Sequence, residues 1–174
     1  MARGGTDDTV MYRRKGLKVM DRKVIASSQL PEKAKLVHTA EEVEKFATYN
    51  KKIPIKTDDT GVGGGLTDVL QRGGYNVVPV NFGAEANEPD KYPNQISEMW
   101  FEVAKFVHEI AYALPDRLQA ELVNRKQKQL DKKGRRVVES KDDYKARGFR
   151  SPDDADAFLL AFCRPKPGPR IWRA

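Results

Sequence analysis

The segment from Ile53 to Val80 constrains the fold of this chain more than any other part of the sequence. Two short apolar runs, IPIKT and NVVPV, flank the glycine run GVGGG and a helix expected from Leu66. A strand, a helix and a second strand in this order are typical of a parallel unit, because parallel strands need a long crossover connection. Pro79 lacks a backbone donor, which disfavours a fully central position for the second strand. The segment therefore predicts an α/β protein.

The segments on either side of this unit predict an antiparallel pair and several helices. A β-hairpin is expected from Thr9 to Arg14, around the turn Lys15-Gly16, and along LKVMDRKVI. A helix is expected from Thr39 to Asn50, because Thr39 followed three residues later by Glu42 has the spacing of a capping box.

The second half of the chain is predicted to be mainly helical up to residue 123. Apolar residues recur every three or four positions from Ile96 to Ile110, which predicts a helix that packs on the sheet. Pro115 suits the first turn of a short helix ending near Val123. Ser151 is expected to cap a last helix whose apolar face includes Phe158 and Phe162.

Length and composition favour one soluble domain. The chain has 174 residues, which fits a single domain, and we assign residues 1–163 to it and residues 164–174 to a Pro-rich basic tail. The one cysteine, Cys163, excludes an internal disulfide. No apolar run is long enough for a membrane span and the start does not resemble a secretory signal, so we expect a cytoplasmic protein without a membrane partner.

Positive charge is concentrated between Asn124 and Arg150. This stretch has eleven Lys or Arg and four Asp or Glu, a net charge of +7 that equals the net charge of the whole chain. LDKKGRRVV places a turn between two alternating runs, which predicts a basic hairpin. Such a ribbon can bind DNA phosphates without reading sequence. The residues expected to bind DNA are Arg125, Lys126, Lys128, Lys132, Lys133, Arg135, Arg136, Lys141 and Lys145.

Acidic residues collect at the ends of predicted elements. Asp58 and Asp59 end the strand of the parallel unit, and Asp153, Asp154 and Asp156 open the last helix. Residues 153 and 156 are three apart, so their carboxylates share one helix face. Carboxylates in this arrangement can hold the two Mg²⁺ ions of a phosphodiester-cleaving site. Acidic residues in a first helical turn also stabilise the helix dipole without any catalytic role, and from these residues alone both interpretations stay open.

The remaining chemistry-bearing residues carry weaker signals. GVGGG lacks the Lys-Ser/Thr of a phosphate-binding P-loop, so a nucleotide-binding regulator ranks below a nuclease. His38 and His108 have no ligand pattern around them, and Cys163 is expected to be a small buried side chain.

Five segments in order resemble one family. They are ARGGTDDTV, IKTDDTGVGGGLTDVLQRGGYNVVPVNFG, YPNQISEMWFEV, LPDRLQAELVNRK and ESKDDYKARGFRSPDDADAFLLAF. In order and spacing they resemble the nuclease domain of the large terminase subunit of tailed bacteriophages, and together they cover nearly the whole chain.

The resemblance implies a fold and an activity. The fold is RNase H-like, a central mixed sheet of antiparallel strands followed by parallel strands, with helices on both faces. The activity is two-metal-ion cleavage of concatemeric double-stranded DNA during genome packaging, with Mg²⁺ or Mn²⁺ as cofactor. Asp58, Asp153 and Asp156 match the family's catalytic metal ligands, with Asp59 and Asp154 as their neighbours. The small terminase subunit and the portal protein are the implied partners, in the cytoplasm of a bacterial host as a phage or prophage product.

The start of the chain departs from the family pattern. The first strand of the family ends in a pattern like G-x-D-x-A-R-x-G-x-D, and here Ala2-Arg3 stands in the place of A-R. The first aspartate of that pattern, a metal ligand in the family, would fall before Met1. No Walker motif of the packaging ATPase is present. We therefore expect an N-terminally truncated nuclease domain with weak activity, and the alternative is a catalytically impaired DNA-binding prophage remnant.

Overall fold

The first two strands form the expected β-hairpin. The computed structural model describes residues 7–26, 28, 34–60 and 64–164. Strand β1 (Thr9–Lys15) pairs antiparallel with β2 (Lys18–Ile25), from Thr9 opposite Ile25 to Lys15 opposite Lys18, with an irregularity between Arg13 and Arg14. Gly16 in the turn has φ of +59°, a conformation that glycine adopts without steric cost.

The parallel unit is confirmed with slightly shorter strands than expected. Strand β3 (Ile55–Asp58) pairs parallel with β4 (Val77–Val80), and helix α2 (Gly64–Arg72) connects them. Pro79 lies opposite Thr57 in this pair. The hydrogen-bonded ladders therefore comprise one antiparallel and one parallel pair among the described strands.

Helix α1 (Lys35–Phe46) begins four residues earlier than the capping-box prediction placed it. Thr39 lies inside the helix, where its hydroxyl donates a 2.7 Å hydrogen bond to the carbonyl of Lys35. A threonine can satisfy its hydroxyl on the preceding turn, so the Thr-x-x-Glu pattern does not mark a helix start here. Glu42 instead forms ion pairs with Lys23 of β2 and Lys45 of α1.

The long helix expected from Ile96 to Ile110 is shorter. Helix α3 spans Gln95–Ala104, its start capped by Asn94, and residues Val107–Glu109 form one 3₁₀ turn. Apolar residues spaced by three serve a 3₁₀ turn as well as an α-helix, so periodicity alone does not distinguish them. The next helix, α4 (Asp116–Asn124), follows Pro115 as predicted.

The basic stretch between Asn124 and Arg150 forms a folded-back segment followed by a helix, rather than one hairpin. Residues 126–139 fold back on themselves through the hydrogen bonds Lys128 N–H to Val137 O and Glu139 N–H to Lys126 O, and only one isolated bridge is formed. The following residues form helix α5 (Lys141–Ala146), whose start is capped by Ser140. We name residues 126–139 the basic arm. A short polar helix has no apolar period, which is why the sequence pattern did not reveal α5.

Helix α6 (Asp153–Phe162) packs at the centre of the larger core. Pro152 occupies its N-cap position, and the expected cap Ser151 donates its hydroxyl to Asp153 instead. The core around α6 includes, with their exposed fractions, Val80 3%, Met99 1%, Leu118 0% and Phe158 0%. A second, smaller core lies between α1 and α2, where Met11 and Ile55 also pack. Tyr12 packs on the larger core and its neighbour Met11 on the smaller one, so helices cover both faces of the strands.

No helix of the described segments is long and apolar enough to cross a membrane. The proposed tail falls almost wholly outside the described residues, since only Arg164 of it is included. Its assignment as a separate tail stays a prediction.

Candidate active site

The three predicted site carboxylates line one cleft. Asp58 ends β3, and Asp153 and Asp156 lie in the first turn of α6. All three border a cavity of about 460 Å³, together with Asp7 and Asp8 at the start of the hairpin. The fold therefore brings together residues that are almost a hundred positions apart in the sequence.

Asp156 is held by two cations inside the protein. The Nη1 atom of Arg125 donates a 2.7 Å hydrogen bond to its Oδ1, and the side chains are 2% and 6% exposed. The Nζ atom of Lys141 lies 2.8 Å from Oδ2 and forms a second ion pair with the same carboxylate. Arg125 also donates to the carbonyl of Glu139 at 2.9 Å and lies over the ring of Trp100. The carboxylate is thus fixed in place and neutralised.

Lys141 interacts electrostatically with all three cleft carboxylates. Burial by itself would lower its pKa, but the charges of Asp156, Asp153 and Asp58 outweigh burial and raise the pKa above the ordinary lysine value. The group therefore stays protonated near neutral pH. Its ammonium supplies positive charge at the carboxylates.

Asp153 is oriented by Ser151, just before α6, and by the backbone of Asp8 at the start of the hairpin. The hydroxyl of Ser151 donates to its Oδ1 at 2.6 Å, and the N–H of Asp8 donates to its Oδ2 at 2.9 Å. Burial raises the pKa of Asp153 above the usual aspartate value, against the opposing effect of these two hydrogen bonds. Asp153 is therefore easier to protonate than an exposed aspartate.

Asp58, Asp59 and Asp154 make different contacts. The Oδ1 atom of Asp58 accepts the N–H of Thr60 at 3.0 Å, which fixes it at the strand end. Asp59 accepts the hydroxyl of Thr67 at 2.9 Å and so joins the strand end to α2. Asp154 is fully buried in a hydrogen-bonded group with Tyr12 and Arg22 and is not among the cleft residues. It fastens α6 to the hairpin.

The carboxylates do not form a complete ligand set by themselves. Within residues 7–26, 28, 34–60 and 64–164, no three metal-ligating side chains lie close enough to hold an ion.

Five of the nine residues expected to bind DNA are engaged with carboxylates. Arg125 does not fit a DNA-contacting role, because its guanidinium is buried against Asp156. Lys141 is directed at the same carboxylate and is 35% exposed. The other ion pairs are Lys128 with Asp143 at 2.6 Å, Arg135 with Asp131 at 2.7 Å, and Lys145 with Asp7 at 3.1 Å.

The other four are on the surface of the basic arm. Lys126, Lys132 and Lys133 are exposed and have no ion pair with any residue that the structure describes. Arg136 is exposed, donates to Gln127 at 3.1 Å and lies over the ring of Phe101 at 3.9 Å. These cations are available to an external anion.

Sequence reasoning missed Glu121 as a residue that supports the site. Its Oε2 accepts the N–H of Ala155 at 2.8 Å, so it satisfies a free amide in the first turn of α6. Its Oε1 accepts the guanidinium of Arg117 at 2.8 Å, and burial raises the pKa of Glu121 despite these contacts. Only the packing of α4 on α6 identifies this role, because a lone glutamate in a polar helix gives no signal in the sequence.

The fold of this chain is similar to that of known proteins. No family model and no curated protein matches the chain. Among solved structures, the nuclease domain of the large terminase subunit of bacterial virus Sf6 is 16% identical, with a TM-score of 0.69, and the match covers 92% of this chain and 84% of that one. A mutant of that domain with manganese and β-thujaplicinol has a TM-score of 0.72 at 17% identity, and one with calcium has 0.68 at 18%, with the same coverage.

The chain therefore has a mixed α/β, RNase H-like fold with an acidic cleft. Its fold is similar to that of the nuclease domain of a bacteriophage large terminase subunit. The predicted fold and the stated resemblance are confirmed at this level.

Proposed function

We propose that this chain is a nuclease domain that hydrolyses phosphodiester bonds of double-stranded DNA during bacteriophage genome packaging. The observation that carries the proposal is the convergence of Asp58, Asp153 and Asp156 on one cleft in a chain with the terminase nuclease fold. By the same resemblance, concatemeric DNA is the substrate, and the small terminase subunit and the portal protein are partners.

We infer that Asp58, Asp153 and Asp156 recruit Mg²⁺ or Mn²⁺ together with the DNA. Their hard carboxylate oxygens suit these ions, and all three carboxylates line the same cleft. Mg²⁺ in nucleic-acid enzymes is commonly held by one or two carboxylates plus substrate phosphates, so a preformed set of three protein ligands is not required. When bound, such ions activate a water molecule and stabilise the leaving oxygen.

The protein's own groups position the reaction. Arg125 fixes the orientation of Asp156, and Ser151 with the Asp8 amide fixes that of Asp153. Lys141 holds positive charge beside the carboxylates and reduces their mutual repulsion. These contacts within the protein keep the acidic side chains of the cleft together without substrate.

The exposed cations of the basic arm are proposed to bind the DNA backbone. Lys126, Lys132 and Lys133 have no internal ion pair among the described residues, so they can neutralise phosphates. Such contacts hold the duplex near the cleft but do not select a cleavage sequence.

A plasmid-cleavage assay with Mn²⁺ or Mg²⁺ tests the proposal. Asp58→Asn should reduce metal-dependent cleavage by about 100-fold or more, because a neutral amide is a poorer ligand for a divalent cation. Asp68→Asn is the matched control, since Asp68 is an exposed residue of α2 and does not line the cleft. It should cleave like the unmodified chain.

Three results separate the possible outcomes. Cleavage that survives Asp58→Asn would refute the site assignment. Salt-sensitive DNA binding with no cleavage in either metal would favour the impaired DNA-binding remnant. The absence of DNA binding at low salt would exclude both functions.

A further inference from the structure

A ring of hydrogen bonds begins and ends on the first turn of α6. The carboxylate of Asp153 accepts the backbone N–H of Asp8 at 2.9 Å, and the side chain of Asp8 accepts Nη1 of Arg117 at 2.7 Å. The Nε atom of Arg117 donates to Glu121 at 2.8 Å, and Glu121 accepts the N–H of Ala155 at 2.8 Å. The ring therefore joins two nearby residues of α6 through the start of the hairpin and through α4.

The two carboxylates that Arg117 joins are shielded from water. The side chain of Asp8 is 7% exposed and that of Glu121 is 10% exposed. Negative charges in such positions need a cation as partner, because burial removes the water that would otherwise solvate them. Arg117 is the cation that both carboxylates share, and a guanidinium stays protonated at any pH at which the protein is folded. Asp8 and Glu121 are therefore held in place from α4.

The shape of the guanidinium makes this double contact possible. Its Nε and Nη1 atoms lie in one plane, so a single arginine donates to two carboxylates from fixed directions. The ammonium of a lysine is a compact charge on a flexible stem and does not hold two partners in a fixed geometry. An arginine on α4 therefore fixes the position of Asp8, and with it the N–H that the Asp153 carboxylate accepts.

A second arginine near Asp8 is not part of the ring. The Nη2 atom of Arg150 lies 3.8 Å from the Asp8 oxygen that Arg117 also contacts, and the Arg150 side chain is 76% exposed. This distance is too long for a hydrogen bond, and water screens the attraction between the two charges. Arg150 is therefore a matched comparison for Arg117, since both are arginines beside the same carboxylate.

We propose that Arg117 is a positioning residue for Asp153, one of the three proposed metal ligands. It acts through Asp8, whose N–H orients the Asp153 carboxylate, and through Glu121, which fixes the start of α6 at Ala155. Residues that orient a metal ligand commonly contribute a factor of about 10–100 to metal affinity without touching the ion. The inference rests on the proposed function, because it takes Asp153 to bind a divalent cation.

Mn²⁺ binding by variants that keep every charge tests the proposal. The readout is the electron paramagnetic resonance signal of free Mn²⁺, titrated with the full chain and a phosphorothioate DNA duplex that resists hydrolysis, and the duplex alone is the blank. Arg117→Lys keeps the charge but not the planar fork, and it should weaken Mn²⁺ binding about tenfold. Arg150→Lys is the matched control and should leave the affinity within about twofold of the unmodified chain.

A second variant tests whether the ring acts as a unit. Asp8→Asn keeps the backbone N–H and nearly the same volume but removes the ion pair with Arg117, so it should weaken Mn²⁺ binding by a similar factor. Because both changes break the same ring, the double variant should bind Mn²⁺ no more weakly than either single variant. Hydrogen exchange in the metal-free chain should be faster at the amides of Asp8 and Ala155, and thermal unfolding shows that the variants are folded.

The outcomes separate this inference from the proposed function. Mn²⁺ binding that is unchanged in Arg117→Lys would overturn the positioning role and leave the proposed function standing. Additive losses in the double variant would also overturn it, because Asp8 would then act on the ion independently of Arg117. Equal losses in Arg117→Lys and Arg150→Lys would show a general effect of arginines near the cleft rather than of the ring. If the unmodified chain bound no Mn²⁺, the proposed function and this inference would fail together.

Discussion

The buried pair between Arg125 and Asp156 yields the sharpest test of how the site is built. The sequence context of Arg125 suggested a DNA-binding arginine, but its side chain is 2% exposed and its guanidinium contacts Asp156, Glu139 and Trp100. Arg125→Met keeps most of the aliphatic side chain and removes the charge and the hydrogen bonds. We expect a loss of stability rather than a simple loss of DNA contacts.

The magnitude follows from the contacts removed. Deleting one partner of a buried ion pair costs about 3–5 kcal/mol, because it leaves an uncompensated charge. Lys141 remains 2.8 Å from the other oxygen of Asp156, which places the expected loss at the low end, about 3 kcal/mol. With a urea m-value of about 2 kcal/mol/M, the midpoint of unfolding should fall by about 1.5 M.

Urea unfolding followed by tryptophan fluorescence measures this loss, with Lys133→Met as the matched control. Lys133 is exposed on the basic arm, so its substitution should change stability by less than about 0.5 kcal/mol. It should instead weaken DNA binding and reduce the salt dependence by about one phosphate contact. Repeating Arg125→Met in an Asp156→Asn background should cost about 1 kcal/mol, because no buried charge is left unpaired.

The reasoning would be refuted by the opposite pattern. If Arg125→Met left stability unchanged and reduced the salt dependence of DNA binding as Lys133→Met does, the guanidinium would be a phosphate contact. If its cost were the same in the Asp156→Asn background, the lost packing, and not the ion pair, would be the cause.

Further predictions address other contacts. The pKa of Glu42 is lowered to about 2, first by the hydrogen bond from Lys23 and then by that from Lys45, so the stability it contributes is present above pH 4.5 and lost as the pH falls towards 2. The difference in unfolding free energy between the chain and Glu42→Gln should therefore shrink over that interval, and a constant difference would contradict it. Phe158→Ala should cost about 3–5 kcal/mol in urea unfolding, because the ring is fully buried, and a cost below 1 kcal/mol would contradict close packing there. Gly148→Ala should cost about 1–2 kcal/mol through backbone strain alone, since its φ is +89° and its Cβ would meet open space, and an unchanged midpoint would refute this.

The strands and most helices were predictable because local pattern determines them. Alternating residues identified the β1–β2 hairpin, and apolar runs identified β3 and β4. Two predictions were wrong because the pattern behind each fits two structures. Thr39 can cap a helix or satisfy its hydroxyl inside one, as it does in α1, and the apolar spacing after Ala104 fits a 3₁₀ turn as well as an α-helix. Helix α5 has too little apolar surface to leave a period in the sequence.

The sequence by itself determined the α/β class, the acidic residues at the end of β3 and the start of α6, and the excess of positive charge between Asn124 and Arg150. These are properties of residue type and spacing. Only the tertiary structure decided which cations face solvent and which neutralise carboxylates, because burial and pairing depend on residues distant in sequence. Arg125 and Lys133 are eight positions apart in one basic stretch, yet one is buried against Asp156 and the other is exposed. The cleft that Asp58 shares with Asp153 and Asp156 likewise follows from how β3 and α6 are positioned, which neither element encodes alone.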